Sequence, residues 1–239
     1  MRQLFPTYEE QVDLVAAYRY PDDRPWLRAN MVSSLDGSAV RDGRSEGLSG
    51  PADKEVFGVL RGLADAVLVG AGTARTEGYR ALRPKPAYAE HRAALGQRPA
   101  PVLVLVSGRL DLDPGSDLFH GGAERTIVVT HAGSDPAART RLAEVADVVV
   151  VGTDQVDLAG GLDVLAERGL SRVLCEGGPT LLAHVTAAGR LDELCLTLTP
   201  LLVAGDGRRI TRGPALHAAY RPAHLLEQDG VLLTRYVAD

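Results

Sequence analysis

The sequence predicts an α/β domain of three layers, with helices on both faces of a mostly parallel sheet and an antiparallel C-terminal edge. Strand-like and helix-like segments alternate through the middle of the chain, which is the pattern of parallel strands joined by crossover helices. Several strand segments are apolar throughout, as strands covered on both faces are. Beyond residue 190, strands follow one another with little helix between them, and this indicates antiparallel pairing.

The chain begins with a predicted helix and a predicted strand. Residues 8–18 have apolar side chains at helical spacing, and prolines follow them. The apolar run at 26–32 predicts the first strand of the sheet. No linker or change in composition divides the rest of the chain. We therefore expect a helical extension over residues 1–25 and a single domain over residues 26–239.

The remaining elements mostly alternate in type as far as residue 190. Pro51 follows Ser49, which can cap a helix, and apolar residues then recur on one face as far as Leu63. The other predicted helices cover residues 134–145, 157–168 and 179–188, with a short one within 85–98. The other predicted strands cover residues 64–69, 101–106, 125–130, 146–151, 171–176, 191–199 and 225–237.

Composition and charge exclude several classes of protein. The 239 residues are 45% hydrophobic, which is enough for one large domain with its own core. A net charge of −5 without a basic stripe argues against nucleic acid as a partner. No apolar run is long enough to span a membrane, and the N-terminus lacks the apolar core of a signal peptide. We expect a cytoplasmic protein.

The two cysteines fit a reducing compartment. Cys175 and Cys195 both fall in predicted strands, so we interpret them as reduced thiols in the core, and a disulfide is the alternative. No spacing of cysteine and histidine resembles a zinc site, so we expect no bound metal.

Residues compatible with ligand binding stand at the ends of several predicted strands. They are Asn30, Ser33 and Ser34 at the first strand, then Gly70 to Thr73, Ser107 with Arg109, His131, and Glu176 to Thr180. The carboxyl ends of parallel strands share one edge of a sheet, where open α/β folds bind their ligands. Two glycine turns and a helix start at this edge favour a phosphate-bearing cofactor.

Two of these turns allow more than one interpretation. Gly70 and Gly72 suggest the dinucleotide-binding fingerprint, but Arg75 stands where its third glycine belongs, so we predict only a glycine-lined ligand loop. Glu176 stands between a strand and a helix that begins at Pro179. It is a candidate for contact with a ligand, and the alternative is a carboxylate that only stabilises the helix start.

Four short motifs extend this interpretation. They are Ser34-Leu35-Asp36-Gly37, Val69-Gly70-Ala71-Gly72-Thr73, Glu176-Gly177-Gly178-Pro179-Thr180 and Leu191-Asp192-Glu193-Leu194. In this order and spacing they resemble the pyrimidine reductase family of riboflavin biosynthesis, over nearly all of residues 26–237. That family is the reductase half of a bifunctional deaminase/reductase and has the dihydrofolate reductase fold, which the resemblance implies here. The zinc deaminase motif is absent, so the sequence looks like a stand-alone reductase.

The resemblance implies an oxidoreductase that uses NADPH and forms a homodimer. In that family a hydride passes from NADPH to C1′ of the ribosylamino group of a pyrimidine 5′-phosphate, which gives a ribitylamino product. The expected substrate is 5-amino-6-(5-phosphoribosylamino)uracil or the related diaminopyrimidinone. Two alternatives stay open. One is reduction of another heterocycle such as dihydrofolate, and the other is a non-catalytic NADP-binding protein, since the cleft residues include no obvious general acid or nucleophile.

The resemblance and the strand ends together give the predicted site residues. For the substrate they are Asn30, Ser45, Arg61 and Glu176, with Arg61 as a phosphate ligand and Glu176 as the candidate catalytic residue. For the cofactor they are Ser33, Gly70, Thr73, Glu77, Ser107, Arg109, Gly177, Gly178, Pro179, Thr180, Leu181 and Leu182, with Arg109 near a 2′-phosphate or simply exposed. Gly47 and Glu77 replace an aromatic residue and an aspartate that are more usual in the family. Arg80 and Arg83 are further candidates for the substrate phosphate, and the proton donor is unassigned.

Overall fold

Ten strands and seven α-helices make up the fold in the computed structural model, which describes all 239 residues. The strands are β1 (Arg2–Phe5), β2 (Trp26–Ser34), β3 (Ala66–Gly70), β4 (Val102–Val106), β5 (Ile127–Thr130), β6 (Asp147–Val150), β7 (Arg172–Cys175), β8 (Glu193–Thr199), β9 (Tyr220–Gln228) and β10 (Val231–Ala238). The helices are α1 (Leu14–Ala17), α2 (Pro51–Leu63), α3 (Ala71–Glu77), α4 (Ala89–Ala94), α5 (Pro136–Ala143), α6 (Leu158–Glu167) and α7 (Pro179–Ala187). None of the helices is both long enough and apolar enough to span a membrane.

All ten strands form one sheet, in the order β1-β9-β10-β8-β2-β7-β3-β4-β5-β6. The seven strands from β8 to β6 in this order pair in parallel, whereas β10, β9 and β1 pair antiparallel at one edge. Parallel neighbours need long crossover connections, and most of these contain a helix. The predicted mostly parallel sheet with an antiparallel C-terminal edge is confirmed.

Helices cover both faces of the sheet, because the central strands are apolar on both sides. Along β3, Val67 and Val69 belong to a core of 23 buried residues, while Ala66 and Leu68 belong to a second core of 19. Residues of α2 and α5 pack into the first core, and residues of α6 and α7 into the second. The predicted three layers are therefore present.

The N-terminal segment differs from the helix predicted over residues 8–18. The helix α1 has only four residues and begins after Asp13, whose Oδ1 accepts hydrogen bonds from Val15 and Ala16 N–H at 2.9 and 3.2 Å. The strand β1, too short to show an apolar pattern, pairs with β9 at the edge of the sheet. The segment is thus tied to the sheet and is more than a helical extension, while the boundary at residue 25 stays a prediction.

Two further segments differ from their predictions. Residues 70–79, predicted as a loop, contain α3, which ends at Gly78 with a φ of 72°. The glycines at the start of this segment favoured the prediction of a loop, although its alanine, arginine and glutamate residues favour a helix. The strand predicted at 225–237 is a hairpin of β9 and β10 that turns at Asp229 and Gly230, where both φ angles are positive.

The elements that position the functional site agree with their predictions most closely. The helix α2 has the predicted bounds, with Pro51 in its first turn and Leu60 and Leu63 buried on one face. Its last turn carries Arg61. The strand β7 ends one residue before Glu176, and its parallel neighbours β2 and β3 end at the same edge of the sheet. The fold therefore brings Arg61 and Glu176 to that edge.

Candidate functional site

A cleft of about 1870 Å³ opens at the carboxyl ends of the central parallel strands. Its walls include Asn30 and Met31 of β2, Gly70 of β3, Val106 of β4 and Glu176 after β7. Residues of α2, α3 and α7 supply further walls. A pocket for one small ligand has roughly 300–1,000 Å³, so the cleft has room for two ligands together.

The lining of the cleft is more positive than the protein as a whole. Ten Lys and Arg side chains and six Asp and Glu side chains line it, whereas the whole chain has 26 and 31. The basic residues are Lys54, Arg61, Arg75, Arg80, Arg83, Lys85, Arg92, Arg109, Arg208 and Arg212. A positive cleft in an acidic protein attracts anionic ligands such as phosphates.

Arg61 and Glu176 form an ion pair on the wall of the cleft. Arg61 Nε donates to Glu176 Oε1 at 2.7 Å, and Arg61 Nη2 donates to Glu176 Oε2 at 2.7 Å. The Glu176 side chain is 2% exposed and the Arg61 side chain 21%. The two charge-assisted hydrogen bonds fix both groups in orientation. They use Nε and Nη2 of the guanidinium, so Nη1 stays available to a ligand.

Two aromatic rings flank this guanidinium. Arg61 Cζ lies 4.3 Å from the ring centroid of Phe57 and 5.3 Å from that of Tyr79, both within cation–π distance. Tyr79 Oη also donates to Glu176 Oε2 at 2.6 Å. Burial opposes the charge of Arg61, but Glu176 outweighs it and raises the pKa of Arg61. Burial and then the negative charge of Glu176 raise the pKa of Tyr79 well above its usual value.

Lys85 is a second cation near this pair. Partial burial and then the positive charge of Arg61 lower the pKa of Lys85. The carboxylate that opposes this shift is Glu176, which is already paired with Arg61. Two cations around one carboxylate leave a net positive charge in this part of the cleft, which suits an anionic ligand.

Gly177 and Gly178 bring the start of α7 against α3. Gly70 N–H donates to Gly177 O at 2.8 Å. A Cβ atom on Gly178 would lie 2.2 Å from Thr73 Oγ1, so any other residue there would displace the Thr73 hydroxyl. Gly177 has a φ of 84°, and the peptide bond between the two glycines is cis. The first turns of α3 and α7 thus meet on the cleft wall, where helix starts present unpaired backbone N–H groups to anions.

Twelve of the predicted site residues line the cleft. They are Asn30, Ser45, Arg61, Gly70, Thr73, Glu77, Arg109, Glu176, Gly178, Pro179, Thr180 and Leu181. Glu77 also has a partner within the protein, since its Oε1 accepts a hydrogen bond from Ser45 N–H at 3.1 Å. This bond ties the loop before α2 to α3.

Four predicted residues, Ser33, Ser107, Gly177 and Leu182, do not line the cleft. Ser33 Oγ donates to the Ser34 carbonyl oxygen at 2.9 Å, and Ser107 Oγ accepts a hydrogen bond from Leu110 N–H at 3.0 Å. Leu182 is 1% exposed and lies in the core beneath α7. Its side chain falls on the core face of the helix, a distinction that the motif alone does not make.

Several cleft residues were not predicted: Phe57, Tyr79, Lys85, Arg208 and Arg212. Ala39 N–H donates to Arg208 O at 2.6 Å, and Arg212 N–H donates to Pro179 O at 3.0 Å, so the basic segment lies against the start of α7. Three arginines within residues 208–212 were a visible signal for this segment. The sequence did not point to Tyr79, because the helix α3, which ends just before it, was predicted as a loop.

Neither of the two cysteines lines the cleft. Cys175 and Cys195 are free and buried, which confirms the interpretation as core thiols and not the disulfide. Burial raises the pKa of Cys175 to about 12, so its thiol is unreactive. The structure contains no group of three or more His, Cys, Asp or Glu side chains that could hold a metal ion.

The cleft lies within the part of the chain that matches known proteins. Residues 25–232 match the RibD C-terminal domain family. Over 194 residues, the chain is 30% identical to the 2,5-diamino-6-ribosylamino-4(3H)-pyrimidinone 5′-phosphate reductase of Methanothermobacter thermautotrophicus, with 81% of this chain and 86% of that protein covered. Over 183 residues, it is 27% identical to the protein of the same name from Archaeoglobus fulgidus, with 76% and 83% covered.

A solved structure matches the fold over nearly the whole chain. It is the crystal structure of a pyrimidine reductase-like protein from Corynebacterium diphtheriae, with a TM-score of 0.82 and 28% identity. The match covers 90% of this chain and 92% of that chain.

Proposed function

The chain belongs to the RibD C-terminal domain family, and from this premise we propose that it is a pyrimidine reductase of riboflavin biosynthesis. The reaction reduces the ribosylamino side chain of a phosphorylated pyrimidine to the ribitylamino form. Two relatives are named as reductases of 2,5-diamino-6-ribosylamino-4(3H)-pyrimidinone 5′-phosphate. The proposed substrate is this pyrimidinone or 5-amino-6-(5-phosphoribosylamino)uracil.

The observation that carries this proposal is the fixed pair of Arg61 and Glu176 in a positively lined cleft. Glu176 Oε1 accepts a hydrogen bond from Arg61 Nε alone, so it has a further acceptor position for a hydroxyl or amine hydrogen of the substrate. Arg61 Nη1 and Lys85 supply positive charge for the 5′-phosphate. Asn30 and Ser45 complete the proposed set of substrate-binding residues.

NADPH is the proposed cofactor. The site fits its phosphates, because Gly178 lets backbone come close beside Thr73 and α7 begins at this point. Bound NADPH would supply the hydride that reduces the substrate. The proposed contacts are Gly70, Thr73, Glu77, Arg109 and the surface residues Gly178, Pro179, Thr180 and Leu181. From behind this surface, Ser33, Ser107, Gly177 and Leu182 would shape the site through their contacts within the protein.

The protein residues bind and orient the substrate. Arg61 and Tyr79 both donate to Glu176, so the carboxylate presents its remaining lone pair as an acceptor. The rings of Phe57 and Tyr79 flank the Arg61 guanidinium and limit its contact with water. Polar groups held in place in this way need no reorganisation when the substrate reacts.

The proposal extends to assembly and location: residues 26–239 form the reductase domain of a cytoplasmic homodimer. Leu35 and Leu202 are 60% and 77% exposed, and Leu35 N–H donates to Leu201 O at 2.9 Å, so two segments with exposed leucines lie side by side where a second copy could cover them. Buried free thiols suit a reducing compartment. Light scattering should give twice the mass of one chain, and a monomer at all concentrations would reject the dimer.

A turnover assay with purified protein tests the proposed function. NADPH oxidation is followed with each ribosylaminopyrimidine 5′-phosphate and, separately, with dihydrofolate. We expect saturable turnover of at least one pyrimidine and negligible turnover of dihydrofolate. Turnover of dihydrofolate alone would assign the chain to the other heterocycle. Binding of NADPH and pyrimidine without hydride transfer in a single turnover would make it a non-catalytic binding protein.

A further inference from the structure

Tyr79 is held at both ends next to the Arg61–Glu176 pair. Its backbone follows Gly78, whose φ of 72° ends α3, and Tyr79 N–H donates to Ala74 O at 2.9 Å. Its hydroxyl donates to Glu176 Oε2 at 2.6 Å. The end of a helix therefore fixes where the phenol ring lies, and the hydrogen bond fixes how it points.

The hydroxyl and the ring of Tyr79 act on different partners. Glu176 Oε2 accepts from both Tyr79 Oη and Arg61 Nη2, whereas Oε1 accepts from Arg61 Nε only. A carboxylate oxygen can accept two hydrogen bonds, so Oε2 is filled and Oε1 keeps one position. The ring lies 5.3 Å from Arg61 Cζ and, with Phe57, limits the movement of the guanidinium.

We propose that Tyr79 is a positioning residue for the substrate, which fixes Glu176 so that its Oε1 takes a hydrogen-bond donor while Arg61 Nη1 takes an anionic group of the same ligand. This role rests on the proposed function of the cleft. Its ligand is a molecule with a hydroxyl or amine near a phosphate, as a phosphorylated ribosylaminopyrimidine has.

The protonation state of the phenol is in keeping with this role. Burial, followed by the charge of Glu176, raises the pKa of Tyr79, so its hydroxyl keeps its proton and acts as a donor. A protonated phenol donates to the carboxylate and holds it in place.

The test replaces Tyr79 by Phe, which removes the hydroxyl and keeps the ring beside Arg61. We expect kcat/KM for the pyrimidine to fall roughly tenfold, the loss typical of one hydrogen bond to a charged group. The KM for NADPH should stay the same, and the thermal midpoint should fall by no more than a few degrees, as the loss of one hydrogen bond implies. Tyr220→Phe is the matched control, because its hydroxyl donates to Leu191 O at 3.4 Å outside the cleft. This control should leave all three quantities unchanged.

A double-mutant cycle with Glu176→Gln separates positioning from a general structural role. The dissociation constant of the pyrimidine 5′-phosphate is measured by titration calorimetry, which needs no turnover. If Tyr79 acts through Glu176, adding Tyr79→Phe to Glu176→Gln should weaken binding less than twofold further. Independent, multiplying effects would overturn the proposal, as would an unchanged kcat/KM in Tyr79→Phe. Absence of turnover in the wild-type protein is a different result, because it rejects the proposed function itself.

Discussion

Glu176 and Glu193 both bind arginine side chains, yet they lie at opposite ends of the parallel strands. Glu176 follows the carboxyl end of β7 and lines the cleft. Glu193 begins β8, where it stands opposite Arg28 of the neighbouring strand β2. Each carboxylate accepts two hydrogen bonds from one arginine, Arg61 for Glu176 and Arg28 for Glu193. Aromatic rings lie beside both of these guanidinium groups. The pairing chemistry is the same, so the surroundings must decide what each group does.

Glu193 is enclosed by protein donors. Arg28 donates to its two oxygens at 2.5 and 3.2 Å, and Arg235 at 2.8 and 3.1 Å. Trp26 Nε1 adds a fifth bond at 2.9 Å. The side chains of Arg28 and Glu193 are 0% exposed. Because its acceptor positions are filled and it has no access to solvent, Glu193 can only stabilise the fold.

Glu176 accepts three hydrogen bonds and keeps one position open, and its partner Arg61 is 21% exposed. A buried ion pair alone therefore does not indicate a binding site. An unfilled acceptor and a partly exposed partner on a cleft wall do. We therefore expect changes at Glu193 to lower stability and changes at Glu176 and Arg61 to lower turnover.

The largest expected effect is on stability, from Glu193→Gln. Burial opposes the charge of Glu193, but Arg28 and Arg235 outweigh it and lower its pKa to about 2. Removing this charge leaves the buried Arg28 and the partly buried Arg235 uncompensated, so we expect a loss of about 3–5 kcal/mol in the free energy of unfolding. Urea unfolding measures it. Asp163→Asn, which breaks an exposed pair with Arg190, should cost under about 1 kcal/mol. Equal losses in the two variants would contradict the comparison.

The next largest effect is a loss of stability in acid, which originates in the protonation of His224 and Glu193. Burial and then Arg235 lower the pKa of His224 from 6.5 to about 4. The unfolded chain binds this proton more readily, so stability should fall as the pH drops from 6.5 to 4. Glu193 adds to the loss as the pH falls from 4.5 towards 2, because its pKa is lowered as well.

The free energy of unfolding should therefore fall by about 2 kcal/mol or more as the pH is lowered from 6.5 to 4. Replacing His224 by Gln should flatten the upper part of the curve. Stability that does not change between pH 6.5 and 4 would reject the buried, neutral state of His224.

Local patterns explain how much of this fold the sequence could predict. The bounds of α2 and the apolar strands β3 and β4 follow from residues adjacent in sequence. Arg61 and Glu176 could each be named, but their pairing spans 115 positions and depends on the sheet order. Arg28 lay in a predicted strand with no visible partner, because Glu193 is 165 positions away. Long-range pairing of this kind has no local signal.

A smaller effect is expected from Arg61→Lys in the cleft. An ammonium cannot form the two-pronged pairing with Glu176 or stack between two rings in the same way. We expect kcat/KM for the pyrimidine to fall roughly tenfold, mainly through KM, with the KM for NADPH unchanged. Arg190→Lys, at an exposed ion pair, is the control and should behave as the wild type. If Arg61→Lys lowered the free energy of unfolding by more than it raised the activation free energy calculated from kcat/KM, Arg61 would be a structural residue like Arg28.

The smallest expected effect is on cofactor choice. Arg109 lines the cleft after β4 and is the proposed partner of the 2′-phosphate. Arg109→Ala should reduce the preference for NADPH over NADH by roughly tenfold or less, since an exposed charge contributes little. Steady-state kinetics with both cofactors measure this ratio. An unchanged ratio would remove Arg109 from the site and leave the pyrimidine side of the cleft unaffected.

The most direct test of the central claim is to measure turnover and stability of Glu176→Gln together. We expect kcat/KM for the ribosylaminopyrimidine phosphate to fall roughly a hundredfold, because the acceptor that we propose orients the substrate is lost. The free energy of unfolding should change by less than about 2 kcal/mol, since glutamine can still accept a hydrogen bond from Arg61. Unchanged turnover with a large loss of stability would contradict the account and make Glu176, like Glu193, a structural residue.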